Sequence, residues 1–224
     1  MRSFARPMPR PVVIPRGLVL YLTFDHRHQG KLIDYSPYHN HGIINGATWA
    51  RGRGGRGWAL SFDGVDDYLD CGNNTSVLVD AFTIVAWMKT TSTTRNALCG
   101  WADFGTTRYP GIIFDYTTTG HLLYLGSDNY RYFSTTPDIR DGAWHQVAFV
   151  VTGNGQYDIN NAKMYADGQE VNVASTSTSS LPAAKTHFFV GYSYDYFAGS
   201  MAEIRLYNRA LSAEEIRRIH YAGL

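Results

Sequence analysis

The chain is patterned for strands almost to its end, and for a helix only there. Near the C-terminus Ala202, Ile204 and Leu206 alternate with Met201, Glu203, Arg205 and Tyr207, the period of a half-buried strand. Ser212 then stands three residues before Glu215, the spacing of a capping box, with Leu211 and Ile216 at the positions of a hydrophobic staple. Glu214 and Glu215 lie at the positive end of the predicted helix, and Arg217 and Arg218 lie toward its negative end. Gly223 ends it within three turns.

Earlier segments carry the same strand signal. Gly17–Asp25, Phe82–Lys89 and Trp144–Val151 each read as a strand. Ala59–Asp70 reads as two short strands around a tight Asp63-Gly64 turn, and Lys163–Val171 as a hairpin around Asp167-Gly168. Asp34–Gly42 is a turn-rich loop that leads to Trp49.

Taken in this order, from Gly17 to His220, these segments resemble the laminin-G-like jelly-roll family, the concanavalin A-like lectin fold. The resemblance implies an all-β fold: a two-sheet antiparallel β-sandwich with jelly-roll topology, about a dozen strands and one short C-terminal α-helix. It also implies a Gly-rich turn where this chain has Arg51-Gly-Arg-Gly-Gly-Arg-Gly57. That stretch lacks the Lys-Ser/Thr of a phosphate loop and leads into a strand, so it reads as structural.

With 224 residues, 44% of them apolar, the chain suffices for one large β domain. A net charge of +1 gives no general field for nucleic acid, and no apolar run reaches membrane-spanning length. Pro7, Pro9, Pro11 and Pro15 interrupt the N-terminus, and Val12–Ile14 is too short for a secretory core, so no classical signal peptide is expected. Residues 1–16 form a separate Arg/Pro piece ahead of a domain over 17–224. It reads either as a tail or as an extended arm that docks Arg2, Arg6, Arg10 and Arg16 on a partner protein or lattice. Cys71 and Cys99 are expected as two buried thiols, with a disulfide left open. The sequence sets no oligomeric state, and a homo-oligomer remains open.

Catalytic motifs are missing. There is no Gly-x-Ser-x-Gly and no His-Glu-x-x-His. Hydrolases of the resembled fold usually carry Glu-x-Asp-x-Glu on one strand. Here Glu203 is the one glutamate on a predicted strand, and no acid lies two positions from it. The chain is therefore read as non-enzymatic.

Two binding chemistries remain. The resemblance implies a structural calcium near the junction of the first and last strands, onto which Asp25, Asp34, Asn40, His41 and Glu203 map. Ala202 stands where many relatives have an aspartate. Independently, aromatic rings interleaved with planar polar groups suit sugars, the ring for C–H faces and the polar groups for hydroxyls. Such residues recur in predicted loops and strand ends: Trp101, Asp103, Arg108, Tyr109, Asp128, Asn129, Tyr130, Tyr194 and Asp195. Trp49, Trp58, Trp87 and Trp144 fall in strand patterns and are expected in the core. The leading expectation is a non-catalytic recognition or adhesion module that binds carbohydrate, displayed on a cell or particle surface. The alternative is a structural assembly protein, such as a virion decoration or tail component, held through the arm.

Overall fold

The computed structural model describes residues 15–25, 30–73, 81–94, 96–102, 108–114, 131–134, 138–153, 162–176, 187–193 and 195–222. The first strands are β1 (Leu18–Leu22), β2 (Lys31–Leu32), β3 (Gly42–Asn45), β4 (Thr48–Arg51), β5 (Trp58–Asp63) and β6 (Tyr68–Asp70). Next come β7 (Phe82–Lys89), β8 (Asn96–Ala102), β9 (Arg108–Phe114), β10 (Arg131–Ser134), β11 (His145–Val151) and β12 (Lys163–Ala166). The last are β13 (Gln169–Glu170), β14 (Asn172–Thr176), β15 (His187–Val190), β16 (Tyr192–Ser193), β17 (Asp195–Tyr196) and β18 (Ala198–Tyr207), followed by the helix α1 (Ala213–Ala222). The strands are more numerous and shorter than the dozen expected, because several are two-residue ladders.

All pairings are antiparallel. Among the described residues one large sheet runs β13-β12-β11-β7-β18-β5-β4, with β1 also on β18; the other large sheet runs β2-β3-β6-β15-β8-β9; and β10-β14 and β16-β17 form two short ladders. The first and last strands are neighbours, as the sandwich requires: Leu22 faces Ile204 and Leu18 faces Tyr207. The main core lies between the sheets. Leu20, Leu60, Phe82, Ile84, Phe149 and Leu206 from the larger sheet meet Leu69, Leu98, Trp101, Phe188 and Val190 from the smaller. A buried polar knot ties them at one end. Asn96 in β8 accepts from Ala198 N (2.7 Å) through Oδ1, and Thr90 Oγ1 donates to Ala198 O (2.6 Å). Buried groups so matched fix register, because shifting either strand would orphan them.

One local reading stands with an addition and another needs correction. The Asp63-Gly64 turn separates two short strands as read, but the two do not pair with each other. β5 pairs with β4 and β18, whereas β6 pairs with β3 and β15, so the turn carries the chain from one sheet to the other. Asp67 holds this crossing through its Oδ2, which accepts from Asp63 N at 2.8 Å. The alternation in β18 also breaks. Met201 joins Ile204 and Leu206 in the core, while Ala202 and Glu203 both face outward. A bulge between Met201 and Glu203 opposite β7 inserts the extra residue that shifts the phase.

The outer face of the larger sheet is covered in two halves. Helix α1 covers one half, setting Ile216 and Leu211 against Leu18, Val85, Val150, Tyr165 and Tyr207. Full burial of Ile216 alone is worth about 1.5–3 kcal/mol. The capping box forms as expected: Ser212 N donates to Glu215 Oε2 (2.9 Å) and Glu215 N to Ser212 Oγ (3.3 Å). Thr83, on the sheet below, donates to Arg209 O and accepts from Leu211 N, anchoring the approach to the helix. The Lys163–Glu170 hairpin also forms as read, with Asp167 and Gly168 both at positive φ (49° and 75°), as a two-residue turn of this hand needs. His145 braces that turn: its Nδ1 lies 2.7 Å from Asp167 Oδ2 and its Nε2 lies 3.1 Å from Asp141 Oδ1. Cys71 and Cys99 are both buried and unbridged, and burial pushes both thiols well up. No helix among the described residues is long and apolar enough to cross a membrane.

Two outcomes follow for stability. The Arg209 guanidinium, at 2.6 and 3.0 Å, and the Ser212 N–H hold the Glu215 carboxyl down to about 2. Its contribution is therefore present above the ordinary carboxylate range and is lost as pH falls through about 2. Ser212→Ala should cost about 1 kcal/mol in urea denaturation, and Glu215→Gln should flatten the acid limb of the stability profile. For His145, the bond to Asp167 raises the imidazole above its ordinary value, against burial, with Asp141 adding to the rise. That stabilisation is complete below the unfolded histidine pKa and fades as pH rises through the raised folded one. The melting temperature should fall over that alkaline step, and His145→Gln should abolish the step.

Candidate functional site

The other half of the outer face is a cleft of about 990 Å³. It sits where β18 changes partners: Ala198–Met201 pair with β5, and Ile204–Tyr207 pair with β1. Ala202 and Glu203 lie at the fork, turned outward by the bulge. Around them the cleft is lined by Tyr21 and Asp25 from the β1 side, Trp58 from β5, Trp87 from β7, Trp144 just before β11, and Arg205. The Arg51–Gly57 loop supplies Arg53 and Arg56, the hairpin turn Asp167, and the helix end His220.

Trp87 forms the buried floor and packs on Ala59 and Ala202, small side chains that leave room for an indole. The Arg53 guanidinium carbon lies 3.8 Å from the centre of that ring, and the His220 imidazole stacks on it at 5.3 Å and 18°. The other rings have cations too. Arg51 lies 5.4 Å from the Trp58 ring, Lys89 Nζ 5.6 Å from Trp144, and Arg205 4.4 Å from Tyr21. Such contacts are worth about 0.5–1 kcal/mol where water reaches them.

The charges form a connected set. Arg205 Nε donates to Glu203 Oε1 at 2.7 Å and its Nη2 to Tyr21 Oη at 3.2 Å. Burial alone would lower the Arg205 pKa, but Glu203 outweighs it and holds the guanidinium firmly charged. Tyr21 is raised by burial and by Glu203. Burial lowers Arg53. For Asp167, burial pushes the carboxyl up, but His145 and the Gln146 N–H (2.9 Å) more than offset this and leave it low. Beneath the cleft, Trp87 Nε1, both ends of the Gln146 amide and His220 Nδ1 are buried without a hydrogen bond.

Of the sequence-predicted ligand residues, Trp101, Arg108, Tyr109 and Asp195 lie among the described residues. Trp101 is a core residue, 1% exposed, with its ring against Phe82 (5.2 Å) and Phe188 (4.9 Å). Its position on β8 points it between the sheets, where no ligand reaches. Arg108 and Tyr109 open β9 at the edge of the smaller sheet, away from the cleft. Asp195 lies in the short β16–β17 ladder. Asp103, Asp128, Asn129, Tyr130 and Tyr194 lie outside the described residues. Conversely Trp58, Trp87 and Trp144, expected in the core, line the cleft. So does the Gly-rich stretch expected to be a turn alone. One signal was available: in β7 Trp87 shares its face with Thr83 and Lys89, not with Phe82, Ile84 and Met88.

Of the expected calcium donors, the Asp34 and Glu203 carboxylates are engaged within the protein. Asp34 Oδ1 accepts from Tyr21 N and Ser36 N, both at 2.8 Å; Oδ2 accepts from Ser36 Oγ and Asn40 N, both at 2.7 Å. Those four bonds use the lone pairs of the carboxylate. His41 Nδ1 accepts from Asp34 N, and Glu203 is taken by Arg205. Asp25 lines the cleft, apart from these bonds. Among the described residues, Asp63, Asp66 and Asp67 do cluster, but their bonds to Asp63, Val65 and Asp66 N–H groups organise the crossover turn. Of the arm, Arg2, Arg6 and Arg10 lie outside the described residues; the carbonyl of Arg16 accepts from Arg209 Nε at 2.8 Å.

Comparison with solved structures shows the fold repeated widely at low identity. Domain 4 of AbnA, a GH43 extracellular arabinanase from Geobacillus stearothermophilus in complex with arabinotriose, aligns with a TM-score of 0.69 and 20% identity, covering 91% of this chain and 98% of that one. The binding domain of Paraclostridial Mosquitocidal Protein 1 aligns with a TM-score of 0.63 and 13% identity, over 92% of this chain and 52% of that one. Trypanosoma rangeli sialidase aligns at 0.58 and 18% identity; 92% of this chain is covered, but only 33% of the sialidase. No curated protein matches the chain. The family model for the concanavalin A-like lectin/glucanases superfamily matches residues 63–217, more than half of the sequence, and the chain belongs to that superfamily.

Proposed function

We propose that the cleft on the outer face of the larger sheet binds an oligosaccharide and that the protein is a non-catalytic recognition module. One observation carries this: three tryptophans and a tyrosine line a single concavity together with guanidinium, carboxylate and imidazole groups. Flat rings take the C–H faces of sugars and planar polar groups take their hydroxyls. The cleft crosses three strand spacings, from Trp144 before β11 past β7 and β18 to Tyr21 in β1. At about 4.8 Å each that is roughly 14 Å, a length for several sugar units and not one. The arabinanase domain solved with arabinotriose shares the fold, and it comes from an extracellular enzyme, which goes with a saccharide ligand and an extracellular setting.

The absence of catalysis in this reading is supported by Glu203. Its carboxylate is engaged by Arg205, whereas glycosidases need one carboxyl free to give up a proton and a second across the bond. A second reading, assembly through residues 1–16, draws support from the Arg209–Arg16 bond, which fixes the point where that segment leaves the domain.

Trp144 is half-buried, so its loss should leave the fold intact. Trp144→Ala should weaken binding of a neutral oligosaccharide such as arabinotriose or a xylan fragment about tenfold or more by calorimetry, with the melting temperature nearly unchanged. No reducing sugar should be released on long incubation. A chain that binds none of a broad glycan panel would end this reading.

A further inference from the structure

Every aromatic ring of the cleft has a cation near it, and the cations on the tryptophans make no ion pair. Among the described residues, Arg51, Arg53, Arg56 and Lys89 form no ion pair with a carboxylate. Arg205 in the cleft does, as do Arg140, Lys163, Arg209 and Arg218 outside it, whereas Lys31 and Arg217 outside it do not. The acids of the cleft are mostly spoken for: Glu203 by Arg205 and Asp167 by His145, leaving Asp25. Four cations that make no ion pair therefore stand in or beside one site, with Glu203 and Asp25 near enough to Arg53 to act on its charge. Arg53 and Arg56 are on a loop, and Arg51 ends the strand β4 that leads into it; Gly54 and Gly55, at positive φ with open space around them, let the loop hold this path.

From this we infer that the cleft selects an anionic oligosaccharide, one bearing carboxylate groups as in uronic acids; the inference rests on the carbohydrate reading above. A neutral sugar that stacks on Trp87 must push Arg53 off the ring and leave its charge without a partner. A uronate makes an exchange. Its pyranose ring takes the indole face while its carboxylate receives the displaced guanidinium. Arginine suits this role because its planar fork matches a planar carboxylate in two parallel hydrogen bonds, which a point charge cannot do. Arg56, exposed at the mouth, and Arg51, beside Trp58, offer the same fork to neighbouring units.

The test uses the full chain and a matched pair of ligands: tetragalacturonate and its fully methyl-esterified form, which keep one ring and differ in charge. The acid should bind roughly tenfold tighter than the ester at low salt, the gain expected of one charge-assisted hydrogen bond, and added salt should erode the difference. Arg53→Ala should bring the two affinities together, and Arg53→Lys should restore part of the preference. Should Arg53→Ala fail to fold, Arg56→Gln, on an exposed side chain, should still shrink the preference. Equal affinity for acid and ester would overturn the inference while leaving the carbohydrate reading intact. Failure of both, together with every neutral glycan, would end the two together. Binding of dextran sulfate or hexauridylate as tight as the uronide would also overturn it, by showing that charge alone, or a nucleic acid, is what the cleft takes.

Discussion

One extra residue in β18 governs the functional face of this protein. A strand with strict alternation would present a single side chain outward for every inward one, and the sheet below α1 would continue as a flat apolar surface. The bulge after Met201 turns Ala202 and Glu203 out together. It falls where β18 leaves β5 and before it meets β1, so that stretch pairs with β7 alone and its other edge is open. The fork makes a depression, Ala202 leaves room for the Trp87 ring, and Glu203 takes hold of Arg205. Without that phase shift the core-facing residues of β18 would not stay in register with β7 on both sides of the gap.

The carboxylates at and near this fork find their compensation within the protein. A buried carboxylate needs compensation, by an ion, by a guanidinium or by hydrogen bonds. Asp34 is satisfied by four donors from its own loop and from Tyr21, and Glu203 by Arg205. Asp34 thereby joins the 34–40 loop to β1, and the Arg205 bond to Tyr21 joins β1 to β18. The junction of first and last strands is closed by organic groups.

The fold was legible because its signals are local and mutually consistent. The Ser212–Glu215 box, the Asp167-Gly168 turn and the apolar run Ile84–Met88 of β7 each needed only their own neighbours to be read. The site was legible only in its ingredients. Trp87 looked like core because it is nearly as buried as core, yet what buries it is a loop and a helix end brought from residues 53 and 220. Trp101 looked like a ligand residue because it borders a polar loop, but its strand phase turns it inward. The bulge has no glycine or proline to announce it, so nothing in the alternation warned that Ala202 would change sides. The Arg51–Gly57 stretch was seen, but its role depends on a partner ring more than thirty residues away.

The two thiols lead somewhere different. Cys71 and Cys99 sit in the central layer with their ionisation suppressed by burial, and only the thiolate reacts with alkylating reagents. While the sandwich stays closed, neither sulfur is within reach of a modifying reagent. Chemical tagging of the native cysteines would therefore clock the opening of the whole β-layer stack, and a single new cysteine placed at the cleft rim could carry a fluorophore without first removing the two that nature left inside.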